Sequence, residues 1–181
     1  MKTIKLTTPL KDVSNLNAGD FVMISGTIVT ARDKAYARVA AGEKPPFVLN
    51  GGVVYNCGPL VRKRNGRWEV FSAGPTTSAR MDKLQVDFVK RTGVRAIIGK
   101  GGLGREVAEE ISRLGCVYLA FPGGTGALAA EFVERVESVC WLDLGEPEAM
   151  WLLKVKDFGP LLVAIDAKNK NLYAPAKRGV F

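Results

Sequence analysis

The feature that most restricts how this chain can fold is a pattern that recurs three times between residues 67 and 136. Each time an apolar run leads into a loop rich in glycine or hydroxyls, and the loop leads into a helix-like stretch. The three stretches are "RWEVFSAGPTTSARMDKLQVDFVKRTG" (67–93), "VRAIIGKGGLGREVAEEISRLG" (94–115) and "CVYLAFPGGTGALAAEFVERV" (116–136). Strands that alternate with helices favour parallel strands joined by crossover helices. The spacing predicts helices over 78–93, 105–115 and 127–136, the first of them stopped by Gly93, and a further strand in "ESVCWLDLG".

The flanking segments are richer in strands. "KTIKL" (2–6) alternates, and "FVMISGTIVTAR" (21–32) is long and β-branched, as a central strand would be. "RDKAYARVAAGEK" (32–44) is helix-prone, with Gly42 as its stop. "PPFVLNGGVVYNCGPL" (45–60) reads as a loop, a strand and a Gly-Pro turn, and "VRKRNGR" (61–67) as the solvated turn of a hairpin. The tail reads as two strands around Gly159-Pro160, closed by a turn at Lys168–Asn171. No repeat or low-complexity linker interrupts the chain. Residues 1–181 are therefore expected to form a single α/β domain with two layers of sheet and one of helices.

Composition narrows the chemistry. There is no histidine, so the commonest general acid–base group and zinc ligand is missing, and catalysis must use Thr, Ser, Lys, Tyr, Asp or Glu or a partner's cofactor. Cys57, Cys116 and Cys140 are widely spaced, suggest no disulfide framework or metal knuckle, and are expected to pack as small buried residues. Net charge is +8, which suits an anionic ligand, nucleic acid or acidic lipid. No apolar run approaches the ~18 residues of a spanning helix, and "MKTIKLTTPL" has no signal-peptide core. These features predict a cytoplasmic protein without a membrane role.

In a parallel β/α arrangement the loops Gly74–Arg80, Gly99–Gly104 and Pro122–Gly126 gather at the carboxyl ends of the strands, where ligands bind. Helix N-termini there favour anions. The loops bring Arg80 and Lys100, and the strand ending at Thr30–Arg32 adds a further cation. Residues 99–104 fit G-x-G-x-x-G, but the acidic residue expected about 20 positions later is replaced by "YLAFPGG", so the dinucleotide fingerprint fails, and no Walker A sequence occurs. Thr76-Thr77-Ser78 holds more hydroxyls than a helix cap needs. Thr77 or Ser78 is expected to cap, leaving at least one free. Arg80 in a first helical turn opposes the helix dipole, which points to an anion nearby.

Taken together, "GPTTSARMD" (74–82), "IIGKGG" (97–102), "PGGTGALAA" (122–130) and "DLGEPEAMWLLKVKDFGPLLVAIDAKNKNLY" (143–173) resemble the C-terminal, or β, part of the class I iron–sulfur fumarases and L-tartrate dehydratases. The resemblance runs from about Leu6 to Tyr173, with the motifs in family order. It implies a three-layer β/β/α swivelling-type domain with a mixed, partly parallel sheet. It implies an α subunit bearing a 4Fe-4S cluster on its own cysteines, so that the cluster and any metal ligation lie off this chain. It implies an active site between the two subunits in an α2β2 assembly, with a β–β homodimer contact as a further partner and no role for nucleic acid. The reaction implied is reversible hydration of the dicarboxylate fumarate to L-malate, with L-tartrate or mesaconate dehydration as the alternative.

By motif position Thr76 resembles the family's proposed base, and Arg80 a substrate-carboxylate ligand. Lys100 resembles the lysine of the G-K-G-G loop, which contacts substrate and serves the catalysis. Arg32 resembles the arginine of the R-D-x-A-H run, and Thr77 stands beside the base as a substrate-binding hydroxyl. Tyr36 stands where the family commonly has histidine. These residue types suit such chemistry. Guanidinium groups bind carboxylates through paired hydrogen bonds. A threonine hydroxyl becomes a base only with an acceptor or a low-dielectric site, which a partner's aspartate could provide. Two other readings remain. One is a nucleotide- or nucleic-acid-binding module, against which Trp68, Trp141 and Trp151 lie in apolar runs and read as core. The other is a structural subunit whose loops only pack against a partner.

Overall fold

The computed structural model describes residues 3–174. Nine strands and four helices follow one another as β1 (Thr3–Thr7), β2 (Phe21–Ala31), α1 (Asp33–Ala40), β3 (Val53–Asn56), β4 (Leu60–Arg64), β5 (Arg67–Ser72), α2 (Asp82–Thr92), β6 (Ala96–Gly99), α3 (Arg105–Arg113), β7 (Val117–Ala120), α4 (Gly126–Glu131), β8 (Val133–Cys140) and β9 (Met150–Ile165). Lys2, which the sequence places in the first strand, lies outside the described residues.

The class is α/β with a mixed, partly parallel sheet. The order in the main sheet is β1-β2-β3-β6-β7-β9-β8, and β9 also pairs with β2. β2, β3, β6 and β7 run parallel, while β9 is antiparallel to both β2 and β7, so these five strands close into a ring. Alternation divides the apolar residues between the two sides of the wall. Val53, Tyr55, Ala96, Ile98, Val117 and Leu119 fill the ring together with Phe158 and Trp151. Val54, Ile97 and Tyr118 face the other way and pack with Tyr36, Phe88 and Ile111 of α1, α2 and α3. The parallel strands are buried on both faces, which explains their short, continuously apolar sequences.

The hairpin expected across the basic turn is present: β4 and β5 pair around Asn65-Gly66, with positive φ at both residues, as a two-stranded sheet of their own within the β3-to-β6 crossover. Four other sequence expectations are revised. The helix expected over 78–93 begins with a 3-10 turn, Ser78–Met81, and is α-helical only from Asp82. The helix expected over 127–136 ends at Glu131, and Val133–Cys140 is a strand. Its valines at 133, 136 and 139 are spaced by three, yet all are partly buried against the ring's core, because the β8–β9 ladder shifts register between Val133 and Arg135 and again between Val136 and Ser138. Each bulge inserts a residue and returns the next valine to the same face.

The tail is one strand of 16 residues rather than two strands around Gly159-Pro160. Its irregular stretch, with Asp157 and Gly159 at positive φ, stays within the sheet by shifting register against β2. Last, Trp151 is fully buried and Trp68 packs edge-on against it at 5.2 Å, but Trp141 is only half-buried and sits in a loop at left-handed φ.

Phe158 is the hub of the ring's interior, with Tyr55, Phe121 and Phe132 at centroid distances of 5.3, 5.3 and 5.5 Å. Phe158→Ala should lower unfolding free energy by about 3–5 kcal/mol, read as a lower urea midpoint at unchanged slope. A loss below about 1 kcal/mol would show that this cluster does not carry the core.

Candidate active site

The parallel strands β2, β3, β6 and β7 all end on the same rim, and the segments leaving them lock together there. Pro75 bridges Cys57 just after β3, and the Thr76 N–H donates to the Asn56 carbonyl at 2.7 Å. Thr77 pairs with Lys100 just after β6, and the Ser78 N–H donates to the Lys100 carbonyl at 3.0 Å. The Lys100 side chain runs along Gly123 of the loop after β7, where an added Cβ would lie 2.9 Å from its Cδ. That loop closes the circuit through the Ala73 N–H, which donates to the Gly126 carbonyl at 2.9 Å. The three loops singled out in the sequence thus each touch the other two.

Beneath the loops lies a buried polar network. Tyr36 Oη donates to Asn56 Oδ1 at 2.6 Å, and Asn56 Nδ2 donates to Ser78 Oγ at 2.7 Å and to Gln85 Oε1 at 2.8 Å. Gln85 Nε2 donates to the Ser78 carbonyl at 3.0 Å. Tyr118 Oη lies 3.0 Å from both Ser78 Oγ and the Gly101 carbonyl. Burial pushes both phenols well above their ordinary range, so each keeps its proton. One proton arrangement then satisfies every member: Asn56 donates to Ser78, Ser78 donates to Tyr118, and Tyr118 donates to Gly101. Gly99 is required where these side chains meet, since a Cβ there would collide with Ser78 Oγ.

This network corrects two expectations. Neither Thr77 nor Ser78 caps a helix through its side chain. Ser78 is fully buried and its hydroxyl is committed in both directions, so it has no proton to exchange with a ligand. Thr76 is half-buried and Thr77 exposed, both on the rim. Tyr36 is fully buried and reaches Asn56 from below.

The cations approach from two sides. Arg32 and Arg80 converge on Asp33, whose Oδ2 lies 3.9 Å from Arg32 Nη2 and 3.4 Å from Arg80 Nη2. Arg32 Nε lies 3.4 Å from Glu148 Oε1 but is not aligned with it, and remains a buried donor without a hydrogen-bond partner. The Arg32 side chain is 23% exposed and that of Arg80 57%. Arg32 thus stands in the more enclosed and more strongly felt position. Lys100 is half-buried between the hydroxyl loop and Gly123. Arg32 and Arg80 meet at Asp33, and Lys100 sits beside Thr77 at the end of β6, so cations and threonine hydroxyls lie at strand ends that open on one side of the sheet.

The residues that sequence reasoning missed are Asn56, Gln85 and Tyr118, which support the site, and Asp33 and Glu148, which aim the arginines. Only Asn56, a lone amide inside the apolar run "VVYNC", carried a signal. Cys57 packs in the ring's core and Cys116 on the helix side of the sheet, where burial pushes its thiol up to about 12, but Cys140, expected to be buried, is only half-buried at the end of β8. Among the described residues, no three His, Cys, Asp or Glu side chains gather to hold a metal ion, and the cysteines do not fit a shared cluster.

Known proteins resemble the chain over nearly its whole length. The family model "Fumarase C-terminus" matches residues 1–176. The L(+)-tartrate dehydratase subunit beta of Escherichia coli strain K12 is 42% identical over 98% of this chain and 90% of its own length. A putative L(+)-tartrate dehydratase subunit beta of Methanocaldococcus jannaschii is 45% identical over 94% of this chain and 90% of its own. A putative fumarate hydratase class I of Geobacillus stearothermophilus is 41% identical over 95% of this chain, which corresponds to 34% of that longer protein. All three names are those of hydro-lyases. The chain belongs to the Fumarase C-terminus family, the part of these hydro-lyases that the tartrate dehydratases carry as a separate β subunit.

Proposed function

We propose that this chain is the β subunit of a two-subunit hydro-lyase acting on a four-carbon dicarboxylate, with reversible hydration of fumarate to L-malate as its reaction. The observation that supports this reading is that the Arg32–Asp33–Arg80 cluster and the Thr77–Lys100 pairing both lie at the carboxyl ends of the parallel strands. Dehydration of L-tartrate is the second reading, favoured by the names of the relatives that match this chain in length. The whole chain works as one domain of the three-layer swivelling type, the ring's two walls forming the sheet layers.

In this reading the guanidinium groups of Arg32 and Arg80, which both lie against Asp33 Oδ2, bind one substrate carboxylate. Lys100 adds a point charge from the opposite loop. Thr76 Oγ1 takes and returns the proton on the carbon next to the departing or arriving hydroxyl. Its half-buried place suits that role better than exposed Thr77, which orients the substrate, and committed Ser78 is left out. Thr76 needs an acceptor for its own proton. That role falls to the α partner, which also carries the 4Fe-4S cluster, in an α2β2 assembly.

The chain alone should show no hydratase activity, and mixing it with its cluster-bearing partner should restore turnover. Activity of the chain alone would overturn the subunit assignment. Rates of the pair with fumarate, mesaconate and L-tartrate then decide between the two readings.

Lys100→Ala should lower kcat/KM of the assembled enzyme by well over ~10-fold, because it deletes a charge aimed at a developing anion. Thr76→Val, which keeps the shape, should cut kcat by ~100-fold or more with little change in KM, whereas Thr77→Val should mainly raise KM. Near-normal kcat in Thr76→Val would remove the base assignment.

A further inference from the structure

Two glycines follow Lys100 directly in the loop after β6. Gly101 has φ +77° and nothing within 4 Å of an added Cβ, and Gly102 comes next. Such a stretch samples many conformations unless something outside it fixes one. Among the described residues, the stretch Lys100–Leu103 accepts one side-chain hydrogen bond, from Tyr118 Oη to the Gly101 carbonyl at 3.0 Å. The same phenol oxygen lies 3.0 Å from Ser78 Oγ in the hydroxyl loop. Tyr118 projects from β7, between the two loops and beneath both, and belongs to neither. The Tyr173 ring covers Gly102 from outside, with an added Cβ 2.9 Å from its Cγ, but makes no hydrogen bond to the loop.

We propose that Tyr118 is a positioning residue: beside the backbone pairing of Thr77 and Ser78 with Lys100, its hydroxyl ties Gly101 to the hydroxyl loop and so sets how the Lys100 side chain stands relative to Thr76 and Thr77. Its effect on turnover rests on the functional reading above; its effect on the loop does not. The order of donors makes the tie specific. With the single phenol proton on the Gly101 carbonyl, which cannot donate, the 3.0 Å contact to Ser78 Oγ is made by the Ser78 proton, so one phenol oxygen serves both loops. Phenylalanine at 118 keeps the ring and its packing against the helices and loses both bonds.

Two measurements test this. By hydrogen exchange on the chain itself, Tyr118→Phe should speed exchange of the Ser78 and Gly104 amides, which donate to the Lys100 carbonyl and to Asp82, by ~10-fold or more, with Ile97, Ile98 and Leu119 unchanged. Ser78→Ala, a second variant should the first fold poorly, should speed the same amides by a smaller factor. Unchanged protection of those amides would overturn the tie, as would an equal rise throughout β6 and β7, the mark of general destabilisation. In the assembled enzyme, Tyr118→Phe should reduce turnover by ~10-fold in the Lys100 background and by less than ~2-fold in Lys100→Ala, because the two changes remove one function. Equal factors in both backgrounds would overturn the proposal that Tyr118 acts through Lys100. An assembled pair that turned over no dicarboxylate would sink the functional reading, and the exchange result would still decide the tie.

Discussion

The side chain and carbonyl of Asn56 are the constraint on which the rest of the rim depends. Asn56 is fully buried at the end of β3, yet its carbonyl holds Thr76, its amide nitrogen holds Ser78 and Gln85, and its amide oxygen holds Tyr36. An unpartnered polar group at such depth costs about 1–3 kcal/mol, so each partner is fixed by what its loss would leave behind. Those partners come from α1, the hydroxyl loop and α2. One amide therefore sets the helix layer against the strand ends and presents the threonines outward.

The ring explains why the strand ends are available for this. Parallel neighbours cannot be joined by tight turns, so β2, β3 and β6 each return through a crossover, and together with β7 they release their carboxyl ends on one side. β9 closes the wall from the other direction, pairing with β2 along most of its length and with β7 near its end. Closure buries Phe158 and its aromatic neighbours and holds the four ends at fixed separations. Arg32 and Lys100, from strands that do not pair with each other, hold a stable distance because the strands between them do.

Much of this is legible in the sequence, and the misreadings have definite causes. The α/β class, the parallel block and the three loops follow from apolar runs ending in glycine. The start of β8 reads as helix because its valines recur every third residue, and only the two bulges against β9 make that spacing strand-like. The run ending at Ser72 is apolar enough to read as a strand because the hairpin packs Val61, Trp68 and Val70 onto the same core. Arg32, Arg80, Lys100, Thr76 and Thr77 are legible as types that suit an anion. The network under them is not, since residues 36, 56, 78, 85 and 118 are brought together only by the fold. The committed state of Ser78 is a property of that network and has no counterpart in local sequence.

Left uncovered, this rim would be a weak site. Thr77, Arg80, Gly101 and the residues 122–124 are exposed, and Arg80 holds Asp33 at 3.4 Å with more than half its side chain in water. Opposite charges 4 Å apart are worth about 1 kcal/mol in bulk water and about 4 kcal/mol at the effective dielectric of a protein surface. An open rim would grip a dicarboxylate little better than water does, and a threonine hydroxyl facing solvent would keep its proton. Excluding water strengthens the cationic contacts and makes the hydroxyl a usable base in the same act. The surface that does so must come from outside the described chain, as the "subunit beta" in its relatives' names also implies. In the proposed reading, assembly and chemistry become a single requirement for this rim: the charges that would select the substrate gain their strength when a second surface closes over them.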